Sequence, residues 1–189
     1  MARRVSPLVD DHETYPQDAR QVLAEYTGYV LQLAARLREN ELDAALAPLG
    51  LTISRLRVLS IVRRLKSCTM GELALLSSID RTTLTRTVDH LTAEGLTERT
   101  ASARDRRKVT LSLTANGQAL HRKAVPLLTG VNDRLFATLT DEQLRQSVLA
   151  LREIVGAIVT EPRDLELLLN FARSSKAKLI VDPPGEIED

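Results

Sequence analysis

The chain has few aromatic residues and a single cysteine. Aromatic side chains make up 3% of its 189 residues, and tryptophan is absent. Because single-stranded nucleic acid is held largely by bases stacked on aromatic rings, this scarcity argues against such a ligand. Cys68 has no partner for a disulfide within the chain, and its thiol fits a reducing compartment. We therefore expect a cytoplasmic protein.

Long apolar runs and an excess of one charge are also missing. No run reaches membrane-spanning length, and the N-terminus lacks a signal-peptide pattern. The formal net charge is only +1, so any strongly basic segment is a local feature balanced elsewhere. A neutral protein can still bind DNA through one face, and the length allows one sizeable core with one or two domains.

Long helical patterns lie at both ends of the sequence. The first covers residues 18–47 and ends at Pro48. Another begins after Thr114, where Pro126 predicts a kink or break around residues 122–125. A third is opened by a capping box at Thr140, and a short one follows at residues 164–173. These helices carry more apolar positions than one small core can cover.

Pairing of two copies around a two-fold axis would bury those helices, and it is favoured over a monomer. The predicted dimerisation region comprises residues 18–48 and 118–174, and residues 175–189 form a C-terminal tail. The fold class is therefore mainly α, with long dimerisation helices on both sides of a compact central unit.

The central unit, residues 50–117, has the layout of a helix-turn-helix domain. Thr52 begins a helix that runs to about Leu65, and residues 66–68 form a connector. A capping box at residues 69–72 opens a short helix, and a turn at 77–79 leads into a second helix. Two short helices separated by three or four residues are typical of DNA-binding helix-turn-helix units.

The second helix of this pair, about Asp80 to Glu94, divides into two faces. Apolar residues recur at helical spacing on the face predicted to be buried: Leu84, Val88 and Leu91. Hydroxyl groups and charges recur on another face, at Thr82, Thr85, Arg86 and Asp89, with Arg81 near the start. Short hydroxyl and guanidinium groups can donate to phosphates and to base edges.

Two short strands follow Gly95 and enclose a basic loop. The strands are predicted at residues 96–100 and 108–113, the second with alternating apolar and polar residues. Residues 99–108 hold five basic side chains and one acid: Arg99, Arg104, Arg106, Arg107 and Lys108, with Asp105. Such a hairpin suits a phosphate backbone or a narrow minor groove. Asp105 is predicted to hold the loop in shape by pairing with a neighbouring arginine.

These segments resemble the MarR (multiple antibiotic resistance regulator) family. The resemblance rests on residues 70–74, 80–86, 88–91 and 94–96, and above all on Asp105-Arg-Arg107 followed by Leu113-Thr-Ala-Asn-Gly117. It covers roughly residues 18–160 and implies a winged helix-turn-helix homodimer that binds pseudo-palindromic duplex DNA. Family members usually repress a nearby operon, and residues 163–189 extend beyond the usual end of the family.

By carry-over from the family, the helix from Asp80 enters the major groove and Arg107 reaches the minor groove or its phosphates. The full set of predicted DNA contacts is Arg81, Thr82, Thr83, Thr85, Arg86, Arg99, Ser102, Arg104, Arg106 and Arg107.

The resemblance also implies a small-molecule effector that releases the protein from DNA. The family pocket would lie between the first helix, the Thr52 helix and the Ala115 helix. Relatives often bind phenolic or carboxylated aromatic compounds. The side chains that would line such a pocket here are Tyr26, Tyr29, Arg36 and Arg57.

Other function classes remain open at this point. Cys68 precedes a helix N-terminus that could lower its thiol pKa, which would suit a redox sensor of the same family, but a buried inert thiol is favoured. A helical interaction protein that does not bind DNA is a further alternative, but it leaves the basic hairpin unexplained. No nucleophile–base pair or phosphate-binding loop suggests an enzyme. His12, His90 and His121 lack metal-ligand spacing, so we predict neither metal nor cofactor.

Overall fold

The computed structural model describes residues 18–101 and 109–171. The chain divides into two compact units, residues 1–40 and 41–189. In the first unit the described part is the N-terminal portion of helix α1 (Ala19–Leu46). The second unit contains the end of α1 and all the later elements. No single described helix is both long and apolar enough to cross a membrane. Among the described helices, only the bent pair formed by residues 19–49 and α2 (Ile53–Leu65) has the length and composition to do so.

Seven α-helices and three strands follow one another in the described ranges. They are α1 (Ala19–Leu46), α2 (Ile53–Leu65), β1 (Ser67–Thr69), α3 (Met70–Ser77), α4 (Arg81–Ala93), β2 (Thr97–Ala101), β3 (Val109–Leu113), α5 (Ala115–Phe136), α6 (Asp141–Ile158) and α7 (Pro162–Phe171). A short 3₁₀ turn, Ala47–Leu49, ends α1. The fold is mainly α with a small antiparallel sheet, which confirms the predicted fold class.

Polar side chains cap five of these helices. The hydroxyl groups of Thr52, Thr114 and Thr140 each accept a hydrogen bond from the amide three residues later. Thr69 and Asp80 do the same for α3 and α4. Both predicted capping boxes, Thr69 with Glu72 and Thr140 with Gln143, are present. Local sequence therefore fixes where these helices begin.

The sheet contains one strand more than the sequence predicts. Its order is β1-β3-β2, and both pairings are antiparallel. The prediction that residues 66–68 form a connector is wrong, because Ser67–Thr69 pairs with β3 and sets Cys68 opposite Leu111. Three residues are too few to show alternation, so only the pairing with a distant strand reveals β1. The β2–β3 hairpin is the wing.

Pro126 does not break α5. The helix is continuous from Ala115 to Phe136, so the alternative of a break at residues 122–125 is wrong. A proline removes one backbone donor, but the rest of the helix retains its bonds. Ala124 and Val131, on either side of the proline, are buried in the core. That burial holds the two halves of α5 against their neighbours.

The hydrophobic core surrounds α2. Four of its side chains, Leu56, Val58, Leu59 and Val62, are at most 1% exposed. They belong to one cluster that also includes Leu73 of α3, the buried stripe of α4, and residues of β3 and α5. Burial of each such side chain stabilises the fold by roughly 1.5–3 kcal/mol. The helix-turn-helix pair α3–α4 therefore packs against α2.

One buried polar group joins α2 to α5. His121 of α5 is 7% exposed. Its Nε2 lies 3.0 Å from Ser60 Oγ, and its Nδ1 lies 2.8 Å from a terminal nitrogen of Arg63. An arginine can only donate, so Nδ1 accepts and the proton of the neutral ring is on Nε2. Burial, and next the Arg63 charge, lower the pKa of His121 below its ordinary 6.5.

Gly117 marks the closest approach between α5 and the start of the wing. A Cβ at this position would lie 2.0 Å from the carbonyl oxygen of Leu96. We expect Gly117→Ala to lower the free energy of unfolding by about 1–3 kcal/mol or more, because a backbone atom must move. Gly130→Ala on the same helix meets nothing within 4 Å, so it should stabilise by about 0.5–1 kcal/mol. Urea denaturation measures the free energy of unfolding of both variants. Equal values for the two variants would contradict the close contact between Gly117 and Leu96.

The His121 contacts predict a pH-dependent stability. As pH falls below about 6.5, the unfolded chain takes up a proton that folded His121 resists, so the free energy of unfolding falls. Urea denaturation at pH 7.5 and pH 5 should show a smaller pH effect in His121→Gln than in the unmodified protein. His90→Gln, at an exposed residue of α4, is the matched control. If His121→Gln showed the same pH effect as the unmodified protein, His121 would not be the group responsible for the loss of stability at low pH.

Candidate nucleic-acid interface

Helix α4 presents its predicted polar face to solvent. Leu84, Val88 and Leu91 are fully buried, as their spacing predicts. The side chains predicted to contact DNA on this helix are all exposed: Arg81, Thr82, Thr83, Thr85 and Arg86. The burial of one stripe therefore fixes the outward direction of the other face.

Hydrogen bonds along α4 define what this face offers to a ligand. The Thr85 hydroxyl donates to the Arg81 carbonyl at 2.9 Å, and Thr87 donates to the Thr83 carbonyl at 2.8 Å. A hydroxyl whose proton is used in this way keeps its oxygen as an acceptor. Such an oxygen can accept a hydrogen bond from cytosine N4 or adenine N6, whereas Arg86 can donate to guanine O6 and N7.

The N-terminus of α4 is closed by Asp80. Its carboxylate accepts a hydrogen bond from the Thr83 amide at 2.9 Å. Hydrogen bonds from the side chain and backbone of Thr83 hold the pKa of Asp80 below its ordinary value. The acid is therefore charged at neutral pH and orients the first turn, in which Arg81 and Thr82 lie.

Arg99 connects the wing to α4. Its guanidinium lies 2.6 Å from a carboxylate oxygen of Asp89, and both side chains remain about half exposed. The pair joins β2 to the polar face of α4, a contact that sequence spacing did not reveal. The other predicted wing residues, Ser102, Arg104, Asp105, Arg106 and Arg107, lie outside the described residues.

The residues predicted to line an effector pocket are only partly brought together. Tyr29 and Arg36 border a shallow groove of about 220 Å³ on α1, with Gln32 and Leu33. Tyr26 is not among the residues lining that groove and is 65% exposed. Arg57 lies on α2, where its guanidinium donates to the Ser77 carbonyl at 3.2 Å. Arg57 thus has a structural contact at the end of α3.

A second cleft opens between α2, α5 and α7. It shares α2 and α5 with the predicted family pocket, but none of its lining residues was among those predicted. It has a volume of about 320 Å³ and is lined by Ser60, Arg63, Arg64, His121 and Phe171. The guanidinium carbon of Arg64 lies 5.1 Å from the centre of the Phe171 ring. These five side chains supply two cations, an imidazole, a hydroxyl and an aromatic wall, but no carboxylate. The spacing of residues 60 and 64 on α2 was visible in the sequence, but their proximity to α5 and α7 was not.

Cys68 is unsuited to the redox role considered above. It is the central residue of β1 and is 2% exposed. Burial, and next the charge of Glu72, raise the pKa of the thiol to about 11. Of the two alternatives for Cys68, the structure supports the buried inert thiol and not a thiol whose pKa is lowered by the following helix. A thiol rather than a thiolate is present at neutral pH, which suppresses its reactivity.

Comparisons with known proteins agree with this architecture. Residues 51–109 match the MarR family. The chain is 30% identical over 119 residues to an HTH-type transcriptional repressor of Mycobacterium tuberculosis, a match that covers 63% of this chain and 86% of the repressor.

Two solved structures share the fold over most of their length. The M. tuberculosis transcriptional regulator MOSR in complex with DNA is 35% identical, with a TM-score of 0.57, and the match covers 69% of this chain and 96% of that one. Bordetella bronchiseptica BpsR, whose DNA binding is regulated by 6-hydroxynicotinic acid, is 25% identical with a TM-score of 0.63, over 68% and 98%. With α4 displayed on a winged helix-turn-helix unit, the chain therefore belongs to the MarR family and is a transcriptional regulator that binds DNA.

Proposed function

We propose that the protein is a homodimeric repressor that binds a pseudo-palindromic operator in duplex DNA. The observation that carries this proposal is the division of α4 into a fully buried stripe and an exposed face of threonine and arginine. In each half-site α4 lies in the major groove, and Arg86 is placed to donate to base edges. Binding blocks transcription of an adjacent operon in the cytoplasm.

A second copy of the chain is the proposed partner of the long helices. On α1 the side chains of Val22, Tyr26 and Tyr29 are more than 60% exposed. On α6 no residue is buried, and Ile158 is 72% exposed. Apolar helix faces of this kind gain stability when a partner covers them. Residues 18–48 and 118–174 thus remain our proposed dimerisation region, and residues 50–117 the DNA-binding domain.

The wing supplies the sequence-independent part of the binding energy. The arginines at 104, 106 and 107 lie in the sequence between β2 and β3, and Arg99 of β2 pairs with Asp89 of α4. We place Arg107 at the minor groove or its phosphates, and we assign Asp105 to the shape of the loop. Phosphate contacts fix the register of the protein on DNA, whereas base contacts on α4 specify the sequence.

An effector releases the repressor by binding better to a dimer whose α4 helices are wrongly spaced for DNA. The cleft between α2, α5 and α7 is our preferred effector site, because its two guanidinium groups suit a carboxylate and Phe171 suits an aromatic ring. The ligand class is thus an aromatic or phenolic acid. The groove at Tyr29 and Arg36 is the alternative position.

The division of roles within the interface can be tested with DNA selected from random duplexes by the unmodified protein. Arg86→Ala should weaken binding and relax base preference at one position, at a cost of about 1–3 kcal/mol. Arg107→Ala should weaken binding to every duplex alike and reduce the salt slope by about one. Lys66→Ala at the end of α2 removes the same charge from an exposed residue outside the predicted DNA contacts and the proposed dimerisation region, and it should have little effect. Mobility shifts at two salt concentrations, with the selected duplex and its base-substituted forms, measure the base preference and the salt slope. Equal loss of base preference from Arg86→Ala and Arg107→Ala would refute the separate roles of α4 and the wing.

The effector site predicts a ligand-dependent stability. At a hundredfold excess over Kd, 6-hydroxynicotinic acid or a related aromatic acid should stabilise the fold by about 2.7 kcal/mol and weaken DNA binding. Arg64→Gln should abolish the thermal shift, whereas Arg36→Gln should retain it. If Arg36→Gln instead abolished the thermal shift and Arg64→Gln retained it, the effector site would be the groove on α1. If no aromatic acid produced a thermal shift, the proposed ligand class would be wrong.

A further inference from the structure

Arg55 joins three parts of the DNA-binding domain. It lies in the first turn of α2, and one terminal nitrogen donates to the carbonyl of Gly50 at 2.8 Å. The other terminal nitrogen forms an ion pair with Glu94, the residue that ends α4. The side chain of Arg55 is only 22% exposed. One guanidinium therefore connects the junction between α1 and α2 to the C-terminal end of α4.

The junction to which Arg55 is tied is itself well defined. Gly50 has a positive φ of 66°, which turns the chain between the two helices. Asp43, near the end of α1, accepts a hydrogen bond from the amide of Ile53, the first residue of α2. The end of α1 and the start of α2 are therefore held together by side-chain and backbone contacts. Because Arg55 contacts both this junction and Glu94, a change in the position of the junction changes the position of the end of α4.

Apolar packing alone would leave the tilt of α4 loosely determined. Leu84, Val88 and Leu91 bury one stripe of the helix, but contacts between apolar side chains are not directional. A guanidinium is a rigid planar fork, so its two partners must lie in fixed directions. Arg55 and Glu94 also line a groove of about 550 Å³ that includes Arg86 and His90 of α4.

A small tilt of α4 affects DNA contacts because the helix is much longer than a hydrogen bond, so its ends move by more than a hydrogen bond tolerates. Its 13 residues span about 20 Å at 1.5 Å per residue. A rotation of about 10° displaces one end of the helix relative to the other by about 3 Å. Such a displacement breaks hydrogen bonds to base edges, because their donor–acceptor distances lie within about 2.7–3.2 Å.

We propose that Arg55 is a positioning residue for DNA recognition, which sets the orientation of α4 through its contacts with Glu94 and Gly50. It acts through Arg86 and the threonines of α4 rather than by touching bases. This inference rests on the proposed function, since it concerns specificity for an operator. It adds a residue of α2 to the determinants of sequence preference.

The test compares charge reversal of either partner with reversal of both. Arg55→Glu and Glu94→Arg each place like charges together, so each should reduce the ratio of affinities for the selected duplex and a scrambled duplex about tenfold. The double variant restores the pair with opposite polarity and should recover most of that ratio. Lys66→Glu, at the exposed residue that ends α2, makes the same charge change outside the proposed dimerisation region and the predicted DNA contacts, so it should leave the ratio unaltered.

Fluorescence anisotropy with both duplexes measures the ratio, and circular dichroism establishes that each variant is folded. Glu94→Gln is the milder variant if a reversal prevents folding, and it should reduce the ratio in the same direction. Single variants that keep the ratio of the unmodified protein, or a double variant that recovers none of it, would overturn the role of Arg55. An unmodified protein that selects no duplex would instead overturn the proposed function.

Discussion

The burial of one stripe of α4 against α2 is the constraint on which the functional surface depends. Leu84, Val88 and Leu91 are fully buried, so the helix cannot rotate without exposing them to water. Roughly 1.5–3 kcal/mol for each side chain opposes such a rotation. Arg86 faces outward as a consequence, together with Thr82, Thr83 and Thr85. The caps at Asp80 and Thr69 then set where α4 and α3 begin.

Features that depend on local sequence could be predicted. The helical spacing of Leu84, Val88 and Leu91 identified the buried stripe, and Thr52, Thr69 and Thr140 identified helix starts. These signals extend over eight residues or fewer. The capping bonds act within one helix, and the apolar spacing shows which face of a helix will be buried. The sequence motifs around residues 105–117 also pointed to the MarR family, which the comparisons confirm.

Features that depend on contacts between distant segments could not be predicted in this way. Strand β1 exists because Ser67–Thr69 pairs with β3, more than 40 residues later. Arg55 meets Glu94 across 39 positions, and His121 meets Ser60 across 61. The thiol of Cys68 illustrates the same point, because the burial that raises its pKa depends on the pairing of β1 with β3.

If α4 lies in the major groove of a duplex, the bound protein should protect guanine N7 from methylation by dimethyl sulfate. Guanine N7 is exposed in the major groove, whereas adenine N3 is exposed in the minor groove. On a duplex selected by the protein, we expect protected guanines in two patches about one helical turn apart, one for each α4 of the dimer. Unprotected guanine N7 throughout a bound site, with protection confined to adenine N3, would contradict the account.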